Sequence, residues 1–179
     1  MMERPLSGGA LRSIYLAGGC FWGLQKYMDL IPGVVSTQVG YANGQTRNPT
    51  YEEVCREGTG HAETVRVEYD PVRLPLEGLL AFYFDAIDPL ARNRQGFDVG
   101  PQYRTGIYYE SQEDRHTAEA SLAELQKKYS KPVMVEVAAL EGYDPAEEYH
   151  QKYLEKHPGG YCHIGRDVFR SVRKKAEGR

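Results

Sequence analysis

The sequence predicts an α+β fold with a ferredoxin-like split βαβ core. Three observations predict it: short runs in which apolar and polar residues alternate, longer stretches in which apolar residues recur at helical spacing, and the order β-α-β-β-α-β in which the two kinds follow each other. Ser13 to Ala17 reads as the first strand, stopped by Gly18-Gly19. Leu24, Tyr27, Met28 and Ile31 then fall on one helical stripe that ends at Pro32-Gly33. Val34 to Val39 reads as the second strand, followed by a loop rich in glycine and asparagine. Val65, Val67 and Tyr69 alternate with polar residues in a third strand, Glu63 to Tyr69, which Asp70-Pro71 closes. Leu76, Leu79, Leu80, Tyr83, Phe84 and Ile87 keep helical spacing, and Thr105 to Tyr109 reads as the fourth strand after a long polar loop. A helix from Gln112 to Tyr129 with Ala118, Leu122, Leu125 and Tyr129 inward, a strand from Val133 to Ala139 and a helix from Pro145 to Lys156 extend this core.

With 179 residues, no internal repeat and no linker-like run, residues 1–179 are expected to form a single domain with its core over about 14–164. The end of the chain, 165–179, carries Arg166, Arg170, Arg173, Lys174, Lys175 and Arg179 against Asp167 and Glu177, and reads as a basic, solvated and mobile tail. The 22 basic and 25 acidic side chains give a formal charge of −3, which leaves no large positive field to hold nucleic acid. The longest apolar run, Leu79 to Phe84, has six residues, against the roughly 18 that a membrane span needs. Met1 to Leu11 has no apolar stretch of the secretory kind, so a cytosolic, reducing setting is expected. In that setting three cysteines point to redox chemistry instead of structural disulfides.

Gly18-Gly19-Cys20-Phe21-Trp22-Gly23 places a cysteine at the first turn of a helix directly after a strand. Helix N-terminal N–H groups favour a thiolate there and lower its pKa from the free value of about 8.5, although an inert core cysteine fits the same spacing. Phe21 and Trp22 point about 100° apart on a helix, so they cannot both follow the core stripe, and one is free to line a pocket for a small apolar group such as a methyl. Glu63 shares the inward face of Val65, Val67 and Tyr69; burial there raises a carboxyl pKa and suits a general acid, while a frayed strand end would leave it in solvent. The loop from Asp88 to Arg104 offers Asp98, Gln102, Tyr103 and Arg104 as substrate contacts, and the earlier loop offers the Tyr51 hydroxyl. Cys162 lies beside Gly159-Gly160 outside any periodic element, where a movable thiol could attack an oxidised first cysteine. Cys55 has no such setting and reads as a spectator. Metal binding is not expected, because neither Cys-x-x-Cys nor His-Glu-x-x-His spacing occurs.

Gly19-Cys20-Phe21-Trp22-Gly23, Gly40-Tyr41, Asn48-Pro49-Thr50-Tyr51, Gly60-His61-Ala62-Glu63, Gln95-Gly96 with Asp98, Gln102-Tyr103-Arg104 and Gly160-Tyr161-Cys162 together resemble the type A peptide methionine sulfoxide reductases over about 14–164. The resemblance implies Cys20 as nucleophile, Glu63 as proton donor, Tyr51 and Tyr103 as hydroxyl donors to the sulfoxide oxygen, Asp98 on the polar side of the site, and Phe21 and Trp22 around the substrate methyl. It implies Cys162 as the resolving thiol, the S epimer of methionine sulfoxide, free or in proteins, as substrate, and thioredoxin or a similar dithiol as reductant. No metal, nucleotide or flavin cofactor is implied. Phe97 and Ile87 depart from the family pattern, and the lack of a cysteine beyond Cys162 implies a single resolving thiol. The residues by themselves leave two alternatives: a thiol peroxidase using the same cysteines, or a non-catalytic ferredoxin-like binding domain.

Overall fold

The structure, a computed structural model, describes residues 10–177. The N-terminal segment as far as Gly9, and Gly178 and Arg179, lie outside the described residues. The fold is mixed α+β. Strands β1 (Arg12–Ala17), β2 (Val34–Ala42), β3 (Ala62–Tyr69), β6 (Gly106–Tyr109), β7 (Glu136–Ala139) and β8 (Tyr143–Pro145) form one sheet in the order β7-β6-β1-β3-β2-β8, in which only β6 and β7 run parallel. β4 (Arg94–Gln95) and β5 (Asp98–Val99) make a small hairpin of their own.

Helices α1 (Phe21–Asp29) and α3 (Leu76–Asp85) bury Leu24, Tyr27, Met28, Leu79, Leu80 and Tyr83 with Ile14 and Leu16 of β1 and Val65, Val67 and Tyr69 of β3, so the expected stripes are the ones that pack. Helix α4 (Gln112–Gln126) contributes Ala118 and Leu125. Tyr129 lies past the end of α4 and is 37% exposed, so it is not the inward anchor that the stripe suggested. The second strand runs three residues beyond its expected end at Val39, because Gly40, Tyr41 and Ala42 pair with Thr64, Glu63 and Ala62 on one side and with β8 on the other.

Two further expectations are corrected. Residues 145–156 do not form one helix: Pro145 ends β8, Glu148–His150 is a single 3-10 turn, and α5 (Tyr153–Lys156) starts after Lys152, whose φ of 56° breaks any helical path. Gln151 holds this bend in place, accepting from Val39 N–H (3.0 Å) and donating to the Val39 carbonyl (2.9 Å), so a side chain completes the hydrogen bonding of β2. The basic end is also not a loose tail. Arg166–Glu177 forms α6, and Phe169 and Val172, three residues apart, bury on the core at 7% and 1% exposure. Arg170, Arg173 and Lys174 stay exposed; a narrow apolar stripe suffices to dock a helix whose outer face is charged. A short helix, α2 (Tyr51–Arg56), was not expected, although Thr50 and Glu53 form a reciprocal capping box legible as Thr-x-x-Glu.

Candidate active site

The register of the sheet sets the site. Ala17, the last residue of β1, pairs with Thr64, so Glu63 stands where the chain leaves the sheet and turns into α1. The turn needs Gly19, whose φ is +77° and whose missing Cβ would stand 2.7 Å from His163 Nε2 and 2.8 Å from Gln95 Cβ. Gly19 N–H also donates to the Tyr103 carbonyl (3.2 Å), which ties this turn to the loop carrying Tyr103. Cys20 follows as the residue capping α1, 7% exposed.

Glu63 is 1% exposed. Its Oε1 accepts the Phe21 N–H of the first helical turn (3.1 Å), and its Oε2 is buried without a partner among the described residues. Burial pushes its pKa up to about 8, with Phe21 N–H pulling down and Asp98 pushing up more weakly. Glu63 is therefore a neutral carboxylic acid near pH 7, with one oxygen anchored and the other free to donate.

The Cys20 thiol behaves differently from the expectation of a lowered pKa. Burial pushes it well above the ordinary thiol range, and neighbouring Glu63 and Asp98 add to this, while Trp22 N–H opposes them and loses. The first helical N–H is already committed to Glu63, so little of the helix terminus is left to favour sulfur. Cys20 therefore rests as a buried thiol, and slow alkylation at pH 7 would not by itself mark it as inert.

The aromatic pair separates as the helical geometry requires. Phe21 is wholly buried, 5.7 Å from Tyr41 and 5.2 Å from His150 between ring centroids. Trp22 is half-buried: its Nε1–H donates to His150 Nδ1 (2.9 Å), and its ring stacks on Tyr153 at 3.8 Å and 12°. His150 is 0% exposed, and burial lowers its pKa, so a neutral imidazole fixes the indole from within. Sequence reasoning missed His150 and Tyr153; the expected helix over 145–156 hid the bend that aims them at Trp22.

Tyr51 opens α2, and Glu147 fixes that end by accepting Tyr51 N–H (3.0 Å) and the Tyr41 hydroxyl (2.7 Å). Burial and nearby Glu63 raise the pKa of both Tyr51 and Tyr103, which keeps both as hydroxyl donors. Asp98 opens β5, with the Tyr161 hydroxyl and Cys20 N–H facing its carboxylate, and its Oδ2 is buried without a partner among the described residues. Cys20, Phe21, Trp22, Tyr51, Glu63, Asp98 and Tyr103 thus come from five separate segments to the end of the sheet where α1 begins. Arg104 is held elsewhere, bonding Glu136 Oε2 (3.2 Å) and the Pro101 carbonyl (2.9 Å). These bonds brace the loop that carries it.

The other two cysteines both lie close to this group. Cys162 is half-buried and docked, its Sγ 2.7 Å from where a Cβ on Gly23 would stand, and it lies near enough to Cys20 to raise that thiol's pKa. Cys55 is not remote: the side chains of Tyr51, Gln102 and Tyr103 all hydrogen-bond toward its sulfur, so it backs the two tyrosines. All three cysteines are free thiols. No group of three or more His, Cys, Asp or Glu among the described residues could hold a metal, and no helix among them is long and apolar enough to cross a membrane.

Comparison with known proteins agrees over nearly the whole chain. The family model for peptide methionine sulfoxide reductase matches residues 12–178. Peptide methionine sulfoxide reductase MsrA of Lachnoclostridium phytofermentans is 59% identical over 162 residues, 90% of this chain and 98% of that protein. The MsrA of Alkaliphilus metalliredigens is 52% identical over 88% of this chain and all of its own length. Among solved structures, reduced Mxr1 from Saccharomyces cerevisiae is 36% identical with a TM-score of 0.81, covering 85% of this chain and 88% of its own. Methionine sulfoxide reductase A of Corynebacterium diphtheriae is 38% identical with a TM-score of 0.76, covering 85% of this chain and 77% of its own. The mixed α+β fold is thus that of known methionine sulfoxide reductases, and the chain belongs to the peptide methionine sulfoxide reductase family, oxidoreductases that return methionine sulfoxide to methionine.

Proposed function

We propose that this chain reduces the S epimer of methionine sulfoxide, free or in proteins, with Cys20 as nucleophile, Glu63 as proton donor and Cys162 as resolving thiol. The observation that carries the reading is the neutral, buried Glu63, anchored through one oxygen on the first turn of the helix that Cys20 caps, with its other oxygen unpartnered. That oxygen is the donor to the sulfoxide oxygen, with the Tyr51 and Tyr103 hydroxyls beside it. Trp22 and Phe21 receive the methyl, and Asp98 holds the polar side.

The sulfur of Cys20 attacks the sulfoxide sulfur, the S–O bond breaks, and methionine leaves as the thioether. The oxygen stays on Cys20 as a sulfenic acid, reducing the substrate by two electrons and oxidising the thiol by two. The thiol proton and the oxygen both end in the sulfenic acid, so a closed site needs no proton from solvent. Cys162 then displaces hydroxide from Cys20, which leaves as water, and the Cys20–Cys162 disulfide is reduced by thioredoxin or a similar dithiol. Mxr1 of Saccharomyces cerevisiae has itself been solved in complex with Trx2. The closeness of Cys162 to Cys20, enough to raise the Cys20 thiol, supports the choice of resolving thiol.

The order β6-β1-β3-β2 with antiparallel neighbours and α1 and α3 as crossovers supports a ferredoxin-like split βαβ core in a single domain. A cytoplasmic location fits the chemistry, because free thiols and a dithiol reductant need a reducing compartment.

Assaying the two separated sulfoxide epimers, with thioredoxin as electron donor, tests the proposal: turnover of the S epimer is expected, whereas turnover of hydrogen peroxide without reduction of either epimer would favour a thiol peroxidase. Cys162→Ser is expected to release about one methionine per enzyme and accumulate sulfenic acid, with poor thioredoxin-dependent turnover. Mass mapping of the oxidised wild type should find Cys20 joined to Cys162 and Cys55 free. Trp22→Ala is expected to raise KM about ten- to a hundredfold, the equivalent of about 1.5–3 kcal/mol of lost apolar contact, with kcat less affected. Steady-state kinetics at several substrate concentrations separates the two parameters, and an unchanged KM places the methyl site elsewhere.

A further inference from the structure

His163 is a buried polar group near the site that this mechanism leaves unused. It follows Cys162 directly, its ring nitrogens are both buried, and neither has a side-chain hydrogen-bond partner among the described residues, while the Gly18 carbonyl faces the ring. Three glycines and Gln95 form its slot. A Cβ on Gly19 would stand 2.7 Å from Nε2, one on Gly23 would stand 3.4 Å from Nδ1, and one on Gly96 would stand 3.6 Å from the His163 Cβ. The same Gly23 position lies 2.7 Å from Cys162 Sγ. The ring thus presents Nδ1 on the side where Cys162 lies, and Nε2 to the residue that precedes Cys20.

We propose that His163 relays a proton in the resolving step, its Nδ1 taking the proton of the Cys162 thiol while its Nε2–H protonates the hydroxide leaving Cys20. The inference rests on the resolving role of Cys162. The step balances: the Cys162 S–H and Cys20 S–O bonds break, the S–S bond and one water form, and the imidazole ends neutral with its proton on the other nitrogen. The oxidant is the sulfenic acid that the first step supplies. The tautomer resets through solvent when the Cys162 segment opens to the reductant.

The surroundings explain why a relay is needed. Burial raises the Cys162 thiol, with Asp98 of β5 adding to this and Lys26 of α1 and the backbone at Ile164 opposing it. When resolution begins Cys20 is already the sulfenic acid and offers no base, and Asp98 is a carboxylate, a weak base toward a thiol. No strong base therefore faces the thiol. Burial pushes His163 down to about 4, against a small pull from the Gly18 carbonyl, so the ring stays neutral with one nitrogen open to accept and the other carrying a proton.

The test is single-turnover analysis of His163→Phe, which keeps a planar ring and removes both nitrogens. Reduced enzyme is mixed with methionine sulfoxide, and methionine release, sulfenic acid and disulfide are followed separately by quenching and mass analysis. The variant is expected to release about one methionine per enzyme, which also certifies its fold, and to form the disulfide at least about 10²-fold more slowly. Its disulfide formation should rise about tenfold per pH unit between pH 6 and 8, because attack then waits for a preformed thiolate, while the wild type stays nearly flat. Disulfide formation at the wild-type rate, or slowed with the wild-type pH profile, would overturn the relay. His163→Gln gives the same comparison if the phenylalanine variant releases no methionine. Full thioredoxin-dependent turnover of Cys162→Ser would instead overturn the resolving role itself, so the two failures are distinguishable.

Discussion

Cys20→Ser is expected to release no methionine above background, even with enzyme in excess over substrate. A hydroxyl is a far weaker nucleophile toward sulfur, and no route in the site would convert it to an alkoxide, because burial opposes a negative charge at this position as it does for the thiol. The loss should exceed that of any other single substitution, since neither bond of the first step can form without sulfur at this position. Measuring methionine in one turnover avoids confusion with recycling. Methionine release at even a few per cent of the wild-type amount would remove Cys20 from the role.

Glu63→Gln is expected to bind substrate nearly as well and to lose rate by about 10² to 10⁴, the range for removing a general acid. The amide still donates a hydrogen bond but cannot give up its proton. The pH dependence carries the sharper signature. With its pKa raised to about 8, Glu63 is a proton donor below that pH and an anion facing the sulfoxide oxygen above it. The wild-type single-turnover rate should therefore fall as pH rises through about 8, and the glutamine variant should lack this limb. Stability follows the same sign: the folded-state pKa lies above the ordinary 4.5, so the stabilisation is fully present below 4.5 and is lost as pH rises through about 8. The variant should lose that alkaline decline in thermal unfolding. An unchanged rate and pH profile would make Glu63 a structural residue.

Much of the core was legible because it obeys local periodicity. The stripe of Leu24, Tyr27 and Met28 and the alternation of Val65, Val67 and Tyr69 each bury as the spacing requires, since every inward position competes for the same apolar interior. The same alternation places Glu63 inside, at 1% exposure. The C-terminal helix was legible only in part, because its charge count obscured the Phe169 and Val172 stripe that docks it. The bend at Lys152 was hidden altogether: a left-handed residue and a Gln151 side chain bonded to β2 leave no periodic trace.

The sequence by itself determined the candidates for the chemistry: a cysteine at a strand-to-helix turn, a carboxylate on an inward face, two adjacent aromatics and a second cysteine beside paired glycines. Only the tertiary structure decided their protonation. Cys20 was expected to be a thiolate from its helix position, yet it is a protonated thiol, because the desolvation that surrounds it comes from residues far away in the chain and outweighs the local N–H groups. The same holds for position. Trp22 owes its orientation to His150 and Tyr153, well over a hundred residues later, and the Cys55 sulfur of α2 is brought against Tyr103 of a loop almost fifty residues later. Spacing along a chain encodes which face a side chain takes, whereas solvation and hydrogen-bond partners depend on whatever the rest of the chain packs against that face.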